Sequence, residues 1–261
     1  MSYSNKVKIG NYFEDRCNDE IKVQSFLQKL QSGDLEFMKE ERKRKRITAP
    51  VELTSSRPDV VSFEDVIQIS TQDNQVLSVF PDDTAIPTAH SCTVSLTTQS
   101  SPCVRNAFRV VRDEDAMNQY IADFDDRFPP NDPILRFGQK FHLLAHQDLS
   151  TNPNPNPNPN QLVLYSEPKS FTAFSRVSNN QILCVRSPRK IYSSFYIAHH
   201  DPELRLEMEG EPVPRGSPLL LIHAQTGKGV VVGKDKVCTD LGSDLEVYCD
   251  NIGRASLFVF K

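Results

Sequence analysis

The chain has 261 residues, of which 38% are hydrophobic and 25% charged, and its formal net charge at pH 7 is −4. These values are typical of a globular protein with one sizeable core, or with one domain and an arm, and they exclude a wholly disordered chain. The sequence contains no run of about 18 apolar residues and no apolar N-terminal leader, so we expect neither a membrane span nor secretion. The mild net charge predicts no polyanionic partner for the whole protein.

Residues 1–47 are predicted to form a helical or extended arm. Asn18 is a candidate N-cap, because acidic residues occupy the turn that follows, where the helix dipole favours anions. Four apolar residues then form an approximate helical stripe: Ile21, Phe26, Leu27 and Leu30. Ser32-Gly33-Asp34 interrupts this pattern and predicts the start of a second helix. Such helices bury little by themselves, so we expect the arm to dock on another molecule.

The arm ends in the strongest electrostatic feature of the chain. This feature is a run of five cations: Arg42, Lys43, Arg44, Lys45 and Arg46. Three interpretations compete: a solvated helix end with cations near the C-terminus, a nuclear-import or nucleic-acid patch, and an anchor on an acidic protein surface. The rest of the chain lacks the clustered cations interleaved with aromatics that a nucleic-acid groove needs, which weakens the second interpretation.

Residues 48–261 are predicted to be mainly β. Residues 60–69 are strand-like, and short apolar runs separated by polar turns predict further strands. These lie at residues 76–80, 92–97, 107–111, 140–144, 162–165, 182–185, 191–197, 219–223, 229–232, 245–248 and 256–260. Two loop insertions are predicted. The first, residues 113–133, has a helical pattern over 113–124, and the second, residues 150–160, contains Asn-Pro repeats that predict a solvated loop.

Residues 201–232 form the most informative stretch. Leu204, Leu206 and Met208 alternate with charged residues, which predicts a half-buried strand that ends at Gly210. Residues 219–222 then predict a buried strand, 225–229 a tight glycine turn, and 230–232 the returning strand of a hairpin.

Histidines provide the candidates for chemistry. We interpret His199-His200-Asp201 as a polar loop, because no nucleophile in a strand–turn–helix elbow accompanies it. His142 and His146 would share a strand face, but two histidines are not a metal site. His223 precedes the glycine turn, and we expect it to organise that turn by packing or hydrogen bonding.

Other candidate sites also have simpler explanations. The stretch Gly227–Lys234 resembles a phosphate loop, but Asp235 replaces the Ser or Thr that would bind magnesium and no helix follows, so a β-hairpin is predicted. The six cysteines include no CxxC pair, and we expect reduced thiols that are mostly buried on strands: Cys17, Cys92, Cys103, Cys184, Cys238 and Cys249. The sequence therefore predicts no enzyme, no metal and no cofactor.

A repeated pattern distinguishes among the all-β folds. Many short strands favour a sandwich, a barrel or a trefoil. A small or acidic residue followed by strand, polar turn and strand occurs three times, at residues 63–80, 137–165 and 216–232. The third copy, L-x-x-H-x-x-T-G, resembles the strand–turn–strand signature of MIR-type β-trefoil modules, and F-G-Q-K-F-H-L in the second resembles its opening. We therefore predict a β-trefoil-like domain of the MIR type behind an N-terminal helical arm.

Three blocks resemble one family. They are residues 7–15 (VKIGNYFED) with the charged helix that follows, residues 135–141 (LRFGQKF), and residues 201–229 with the core LRLE-x-EG-x-PVP. In this order they resemble the cilia- and flagella-associated protein 161 family, whose members belong to the ciliary axoneme. The chain departs from the family at the Asn-Pro tract, at Phe63-Glu64-Asp65, where an aromatic-Gly-Asp pattern is expected, and at Lys261, where relatives often continue.

The resemblance implies a function. It implies a non-enzymatic microtubule inner protein that binds α/β-tubulin in the lumen of doublet microtubules beside other inner proteins, in the cytoplasm and cytoskeleton of a cilium or flagellum, and stabilises the axoneme for beating. Because tubulin is acidic, the resemblance favours the five cations as an anchor. The predicted contact residues are Ile9, Tyr12, Phe13, Arg42, Lys43, Arg44, Lys45 and Arg46. The alternative is a MIR-like ligand- or glycan-binding module, weakened because the chain has no Trp and only 7 Tyr.

Overall fold

The computed structural model describes residues 12–81, 85, 86, 91–123, 125–146, 149, 161–187, 191–239 and 241–261. The chain divides into two units, Met1–Arg46 and Ile47–Lys261, called here the arm and the β unit. The predictions of an N-terminal helical arm and of mainly β structure after it are confirmed. The insertion predicted at 150–160 lies outside the described residues, and no described helix has the length and apolar character needed to cross a membrane.

The arm contains α1 (Tyr12–Ser32) and most of α2 (Glu36–Ile47). The prediction that Asn18 caps the first helix is wrong, because α1 begins at Tyr12 and continues through Asn18. Glu14 and Asp15 occupy the first turn instead, where carboxylates interact favourably with the helix dipole.

A glycine cap ends α1, as the sequence predicts. The Gly33 amide donates to the Leu30 carbonyl at 3.3 Å, and the Asp34 amide donates to the Lys29 carbonyl at 2.8 Å. Gly33 has φ +70°, the left-handed conformation that glycine adopts without a steric penalty. The paired hydrogen bonds satisfy the last carbonyls of α1 and separate it from α2.

The β unit contains short antiparallel strands and one further helix. The strands are β1 (Val66–Ile67), β2 (Ile69–Thr71), β3 (Val76–Phe80), β4 (Ser91–Thr97), β5 (Phe108–Arg112), β6 (Phe141–Ala145), β7 (Val163–Tyr165), β8 (Gln181–Ile182), β9 (Cys184–Arg186), β10 (Phe195–His199), β11 (Leu219–His223), β12 (Lys228–Thr239), β13 (Gly242–Asp250) and β14 (Leu257–Phe260). The predicted helical insertion is α3 (Glu114–Ala122). The hairpin of β12 and β13 is longer than predicted, and it excludes the phosphate loop considered for Gly227–Lys234.

Strand pairing closes part of the sheet into a ring. The consecutive strands β1 and β2 pair with β5 and β14 respectively. From β5 the pairing continues through β6, β10 and β11 back to β14. A closed ring leaves no unpaired edge, so its buried backbone groups are satisfied within the ring.

Three pairs of strands lie outside the ring: β3 with β4, β7 with β9, and β12 with β13. They also pair with one another. β4 pairs with β9 and β13, and β13 pairs with β8. The result is one continuous antiparallel sheet in which the three pairs support each other.

The same turn begins the three predicted repeats. Glu64, Gly138 and Gly216 have φ values of +67°, +81° and +73°. The amides of these residues donate to the carbonyls of Val110 at 2.7 Å, Ile197 at 2.9 Å and Phe260 at 3.0 Å. The accepting residues lie on the ring strands β5, β10 and β14. Three turns of one geometry, each bonded to a ring strand, give the β unit an approximate threefold pattern.

The strand predicted over Leu204, Leu206 and Met208 is wrong. These residues form turns, with the Met208 amide donating to the Leu204 carbonyl at 2.9 Å and with Leu206 84% exposed. The preceding strand, β10, already pairs with β6 and β11. The Ile197 and His199 carbonyls of β10, which a further strand would need as acceptors, already accept from the Gly138 amide at 2.9 Å and from Arg205 Nε at 3.1 Å, so the alternating segment forms turns instead.

The main core joins the ring to the three strand pairs, because buried residues of both belong to one apolar cluster. Inward residues of the ring strands are buried, among them Phe141, Phe195 and Phe258, which are 0% exposed. Four cysteines are buried as predicted, whereas Cys238 is exposed and Cys17 half-buried. Burial raises the pKa of the Cys249 thiol to about 12, so this thiol is an inert apolar group at neutral pH.

Candidate functional site

An exposed apolar face runs along the second half of α1. Val23, Phe26, Leu27 and Leu30 are 58%, 54%, 47% and 44% exposed. Their spacing of three, one and three residues places them on one side of a helix, the pattern by which helices of soluble proteins contact a core. We call these four residues the α1 apolar face. Val23 extends the predicted stripe, whereas the prediction that Ile21 belongs to it is wrong, because 3.6 residues per turn place Ile21 on the opposite side of α1.

The five predicted cations lie together on the last turns of α2. Arg42, Arg44, Lys45 and Arg46 are exposed and Lys43 is half-buried. The Lys45 ammonium lies 2.8 Å from the Glu41 carboxylate, and the hydrogen bond it donates lowers the pKa of Glu41. This pair is exposed to solvent, so its contribution to stability is small.

One of these cations also serves the arm itself. A Cβ atom built on Gly33 would lie 1.7 Å from Arg42 Nη2, so the guanidinium packs directly over the glycine cap between the helices. Among the five cations, Arg42 is the one whose side chain is described in contact with Gly33. The sequence pattern gave no signal for this difference.

Two of the three predicted apolar anchors of the arm lie within the described residues. Ile9 lies outside the described residues. Tyr12 is the first residue of α1, and Phe13 beside it is 76% exposed. The structure therefore makes Phe13 available for contact but does not test its role.

A cleft of about 540 Å³ lies in the β unit beside α3. Its described lining comes from the start of α3, from β6 and from the turn after β11, and no aromatic side chain is among those residues. The residues are Asp113, Glu114, Asp115, Ala116, Gln119, Lys140, His142, Ile191, Ser194, Ala224 and Gln225.

Asp113 and His142, two buried polar residues of this cleft, have structural partners, whereas the buried hydroxyl of Ser194 has no hydrogen-bond partner among the described residues. Asp113 Oδ1 accepts the Ala116 amide at 3.1 Å and caps α3. His142 Nδ1 lies 2.9 Å from the Ser193 carbonyl, which only accepts, so this nitrogen donates. His142 Nε2 lies 3.8 Å from Asp113 Oδ1. The described residues contain no group of three or more metal-ligating side chains suited to a metal ion.

His223 organises its turn, as the sequence predicts. Its side chain is 0% exposed, with Nε2 donating to the Tyr192 carbonyl at 3.0 Å and Nδ1 lying 2.8 Å from Thr226 Oγ1. Burial lowers the pKa of His223 to about 4, since desolvation opposes the charged imidazolium. The neutral ring therefore ties the β11–β12 turn to the residues before β10.

An exposed aromatic segment that the sequence pattern does not predict, residues 170–180, lies between β7 and β8. Phe171 is fully exposed and Phe174 is 38% exposed. The segment has neither the alternation of a strand nor the spacing of a helix. The one signal in the sequence is the pair of phenylalanines within an otherwise polar loop.

A family model identifies the chain. The model for the cilia- and flagella-associated protein 161-like domain matches residues 39–255, which include the five cations and almost the whole β unit. The chain belongs to this family. The match begins within α2, so α1 and its apolar face lie outside the region that the family model describes.

Curated relatives agree with the family model. Cilia- and flagella-associated protein 161 of Bos taurus is 24% identical over 262 residues, covering 94% of this chain and 75% of the relative. The protein of the same name from Danio rerio is 24% identical over 246 residues, covering 87% of this chain and 74% of the relative. These relatives support an association with cilia and flagella for the family member described here.

Solved structures share the fold at low sequence identity. A Caenorhabditis elegans protein of unknown function has a TM-score of 0.55 and 13% identity, covering 79% of this chain and 98% of that one. The SDF2-like protein of Arabidopsis thaliana has a TM-score of 0.51 and 9% identity, covering 77% and 94%. A protein O-mannosyltransferase complex of S. cerevisiae, solved with its sugar donor, has a TM-score of 0.52 and 12% identity, covering 84% and 27%. These likenesses concern the fold alone.

Proposed function

We propose that the chain is a structural, non-enzymatic protein of doublet microtubules that binds α/β-tubulin in the lumen, beside other inner proteins, and stabilises the axoneme. The observation that carries this proposal is its membership of the cilia- and flagella-associated protein 161 family. A position in the axoneme makes the cytoskeleton of the cilium or flagellum its place of action. Neither nucleic acid nor a membrane is proposed as a partner.

The arm has the chemistry that this function needs. Its five cations lie on one short helix, four of them exposed and Lys43 half-buried, and an acidic protein such as tubulin attracts clustered cations over a distance of roughly 8–10 Å at physiological salt. The α1 apolar face adds a surface that loses contact with water on docking. Electrostatic attraction and apolar burial therefore act together in one segment.

We further infer that the β unit is a MIR-type β-trefoil that acts as a compact spacer. A trefoil has a six-stranded ring capped by three strand pairs, with an approximate threefold axis. The ring has six strands when the consecutive β1 and β2 count as one, the others being β5, β6, β10, β11 and β14. This ring and the three turns at Glu64, Gly138 and Gly216 support the assignment. Its loops would face tubulin and the neighbouring proteins, and many copies on a periodic lattice would gain avidity from individually weak contacts.

Fractionation of isolated axonemes tests the proposed location. Axonemes are extracted with high salt and then with sarkosyl, and each fraction is immunoblotted for the full-length chain. Retention through high salt, with release when the doublets dissolve, is the expected result for a protein inside the tubule wall. Recovery in the membrane-plus-matrix fraction would contradict the proposal.

A charge variant tests the role of the arm. Replacing all five cations with glutamine should release the protein at lower salt than the wild type, because the anchor on acidic tubulin is lost. Removing two exposed cations far along the β unit, Arg254→Gln with Lys261→Gln, provides the control. Equal release of both variants would remove the arm from the binding mechanism.

The second candidate function is a ligand- or glycan-binding module. The cleft beside α3 favours it, because its volume of about 540 Å³ lies within the range of small-molecule sites. The absence of aromatic side chains among its described lining residues weakens a glycan interpretation, since sugar rings usually stack on such side chains. Binding of mannose-containing glycans by the soluble protein, together with failure to remain in extracted axonemes, would favour this candidate.

A further inference from the structure

The exposed segment of residues 170–180, called here the aromatic loop, presents apolar side chains to solvent. Phe171 is 103% exposed, Val177 49% and Phe174 38%. A fully exposed phenylalanine leaves a large apolar area in contact with water, which burial against another surface would remove. Three such side chains within seven residues indicate a contact surface.

A buried carboxylate holds this loop in one conformation. Glu246 on β13 is 5% exposed and accepts hydrogen bonds from the amides of Val177 and Ser178, both at 2.8 Å. The loop is thus tied to the centre of the longest strand pair by two charge-assisted hydrogen bonds, which are stronger than neutral ones.

The loop also closes on itself and on a small core. Ser175 Oγ accepts the Asn180 amide at 2.8 Å, and the Ser170 amide donates to the Ala173 carbonyl at 3.0 Å. Ala173 is 0% exposed and packs in a cluster with Tyr165 and Ile182. Because both ends are fixed, Phe171 is presented on a rigid support, and binding through it would cost little loop-ordering entropy.

The aromatic loop is positively charged. Lys169 precedes it and Arg176 lies within it, both are exposed, and residues 169–180 contain no acidic residue. Phe174 and Arg176 line one narrow cleft, so an apolar and a cationic side chain lie side by side on the loop. Glu167 is engaged by Arg186 at 3.5 Å. This rim is complementary to an acidic surface.

We propose that the aromatic loop is a second docking surface, on which Phe171 inserts into an apolar pocket of tubulin that is rimmed by carboxylates. The proposal rests on the proposed function and names the part of the β unit that makes the contact. The arm and the aromatic loop would then give the chain two attachments, each combining apolar side chains with cations. Two linked attachments bind far more tightly than either one alone.

A binding assay with the full-length protein tests this proposal. Open sheets of polymerised tubulin, in which both faces are accessible, are pelleted with wild type, Phe171→Ser and the control Ile121→Ser. Ile121 lies on α3 and is 50% exposed, so the control removes an exposed apolar side chain elsewhere. Phe171→Ser should weaken binding about tenfold, as for a central aromatic contact, whereas Ile121→Ser should bind like wild type.

Several outcomes would overturn the proposal. Equal binding of wild type and Phe171→Ser would remove the aromatic loop from the interface and leave the proposed function intact. Failure of the wild type to bind the sheets at all would overturn the proposed function as well. Light scattering that shows a dimer for wild type and a monomer for Phe171→Ser would identify a second copy of the chain as the occupant. Unchanged urea midpoints for both variants check that neither substitution disturbs the fold.

Discussion

Phenylalanine has opposite environments in the ring of the β unit and in the arm. Phe141, Phe195 and Phe258 are 0% exposed in the ring, whereas Phe26 and Phe37 in the arm are 54% and 72% exposed. Each buried phenylalanine contributes about 1.5–3 kcal/mol to folding, and an exposed one contributes almost nothing. The ring thus uses its apolar residues to fold, whereas the arm, like Phe171 of the aromatic loop, keeps them available for another surface.

This difference shows which contacts stabilise each region. The ring and the three strand pairs satisfy their own hydrogen bonds and bury their own apolar surface. An isolated helix of about 12–15 residues is only marginally stable in water, and helices gain most of their stability from packing an apolar face. We therefore expect the β unit to be stable alone and the arm to depend on its partner.

The largest expected effect comes from truncating a ring phenylalanine. Phe195→Ala should lower the free energy of unfolding by about 3–5 kcal/mol, because the lost transfer energy is accompanied by a cavity in a closed ring. Urea unfolding followed by far-ultraviolet circular dichroism measures this change. A loss below about 1 kcal/mol would show that the ring is not the stabilising core, and the contrast with the arm would fail.

The next effect is a dependence of β-unit stability on pH. Burial lowers the pKa of His223 from 6.5 to about 4, so the unfolded chain binds this proton first as the pH falls. Stability is complete above pH 6.5 and should fall by about 3 kcal/mol between pH 6.5 and pH 4, since one pKa unit is worth about 1.4 kcal/mol.

The variant His223→Gln isolates this contribution. It should be less stable than wild type at pH 7, because the hydrogen bonds to Tyr192 and Thr226 are weakened, but it should lack the dependence on pH over that window. Urea midpoints of both proteins are compared from pH 7 to pH 4.5. If the urea midpoints of the two proteins fell in parallel with pH, a group other than His223 would be responsible for the loss of stability.

A smaller effect should appear at the first of the three equivalent turns, where the chain has Glu64 in place of a glycine. Glu64 has a φ of +67°, close to the +81° and +73° of the equivalent glycines Gly138 and Gly216. A side chain in this conformation costs about 1 kcal/mol, so Glu64→Gly should stabilise the β unit by about 0.5–1 kcal/mol.

Two controls sharpen this test of the threefold pattern. Glu64→Ala keeps the Cβ atom and should bring no comparable gain. Gly216→Ala, where an added Cβ would meet nothing within 4 Å, should lose about 1 kcal/mol from backbone conformation alone. Chemical denaturation measures all three variants, and a loss of stability in Glu64→Gly would show that the carboxylate side chain matters more than the turn.

The smallest expected effect is in the arm. Phe26→Ala is the counterpart of Phe195→Ala in the arm. It should change the unfolding free energy of the β unit by less than about 0.5 kcal/mol, because the Phe26 side chain is already exposed to water. The same variant should weaken pelleting with tubulin sheets. A loss of β-unit stability comparable to that of Phe195→Ala would abolish the distinction between the two regions.

Local chemistry explains what could be predicted. The helix break at Ser32-Gly33-Asp34, the hairpin turn at Gly227 and the role of His223 each depend on residues within a few positions of one another. The repeats were recognisable because the three turns begin equivalent strands. The first helix was placed too late because Asn18, a good capping residue, lies inside α1, where the anions at Glu14 and Asp15 mark an earlier start.

The candidate contact surfaces were predicted in part. The five cations were visible as a charge run, whereas the contact of Arg42 with Gly33 depends on how α2 follows the glycine cap. The aromatic loop had no periodic signal, because it is held by a carboxylate 69 residues away from Val177. Sequence spacing carries no information about such a distant partner.

The sequence by itself determined the class of the protein: a charged helical arm with an apolar stripe, followed by short strands in three repeated units. The tertiary structure decided which segments became strands and which side chains remained in water. Leu204, Leu206 and Met208 alternate as a strand would, but the β10 carbonyls that a neighbouring strand would need already accept hydrogen bonds from Gly138 and Arg205. A strand needs an unpaired neighbour, and whether a neighbour is unpaired is a property of the whole sheet.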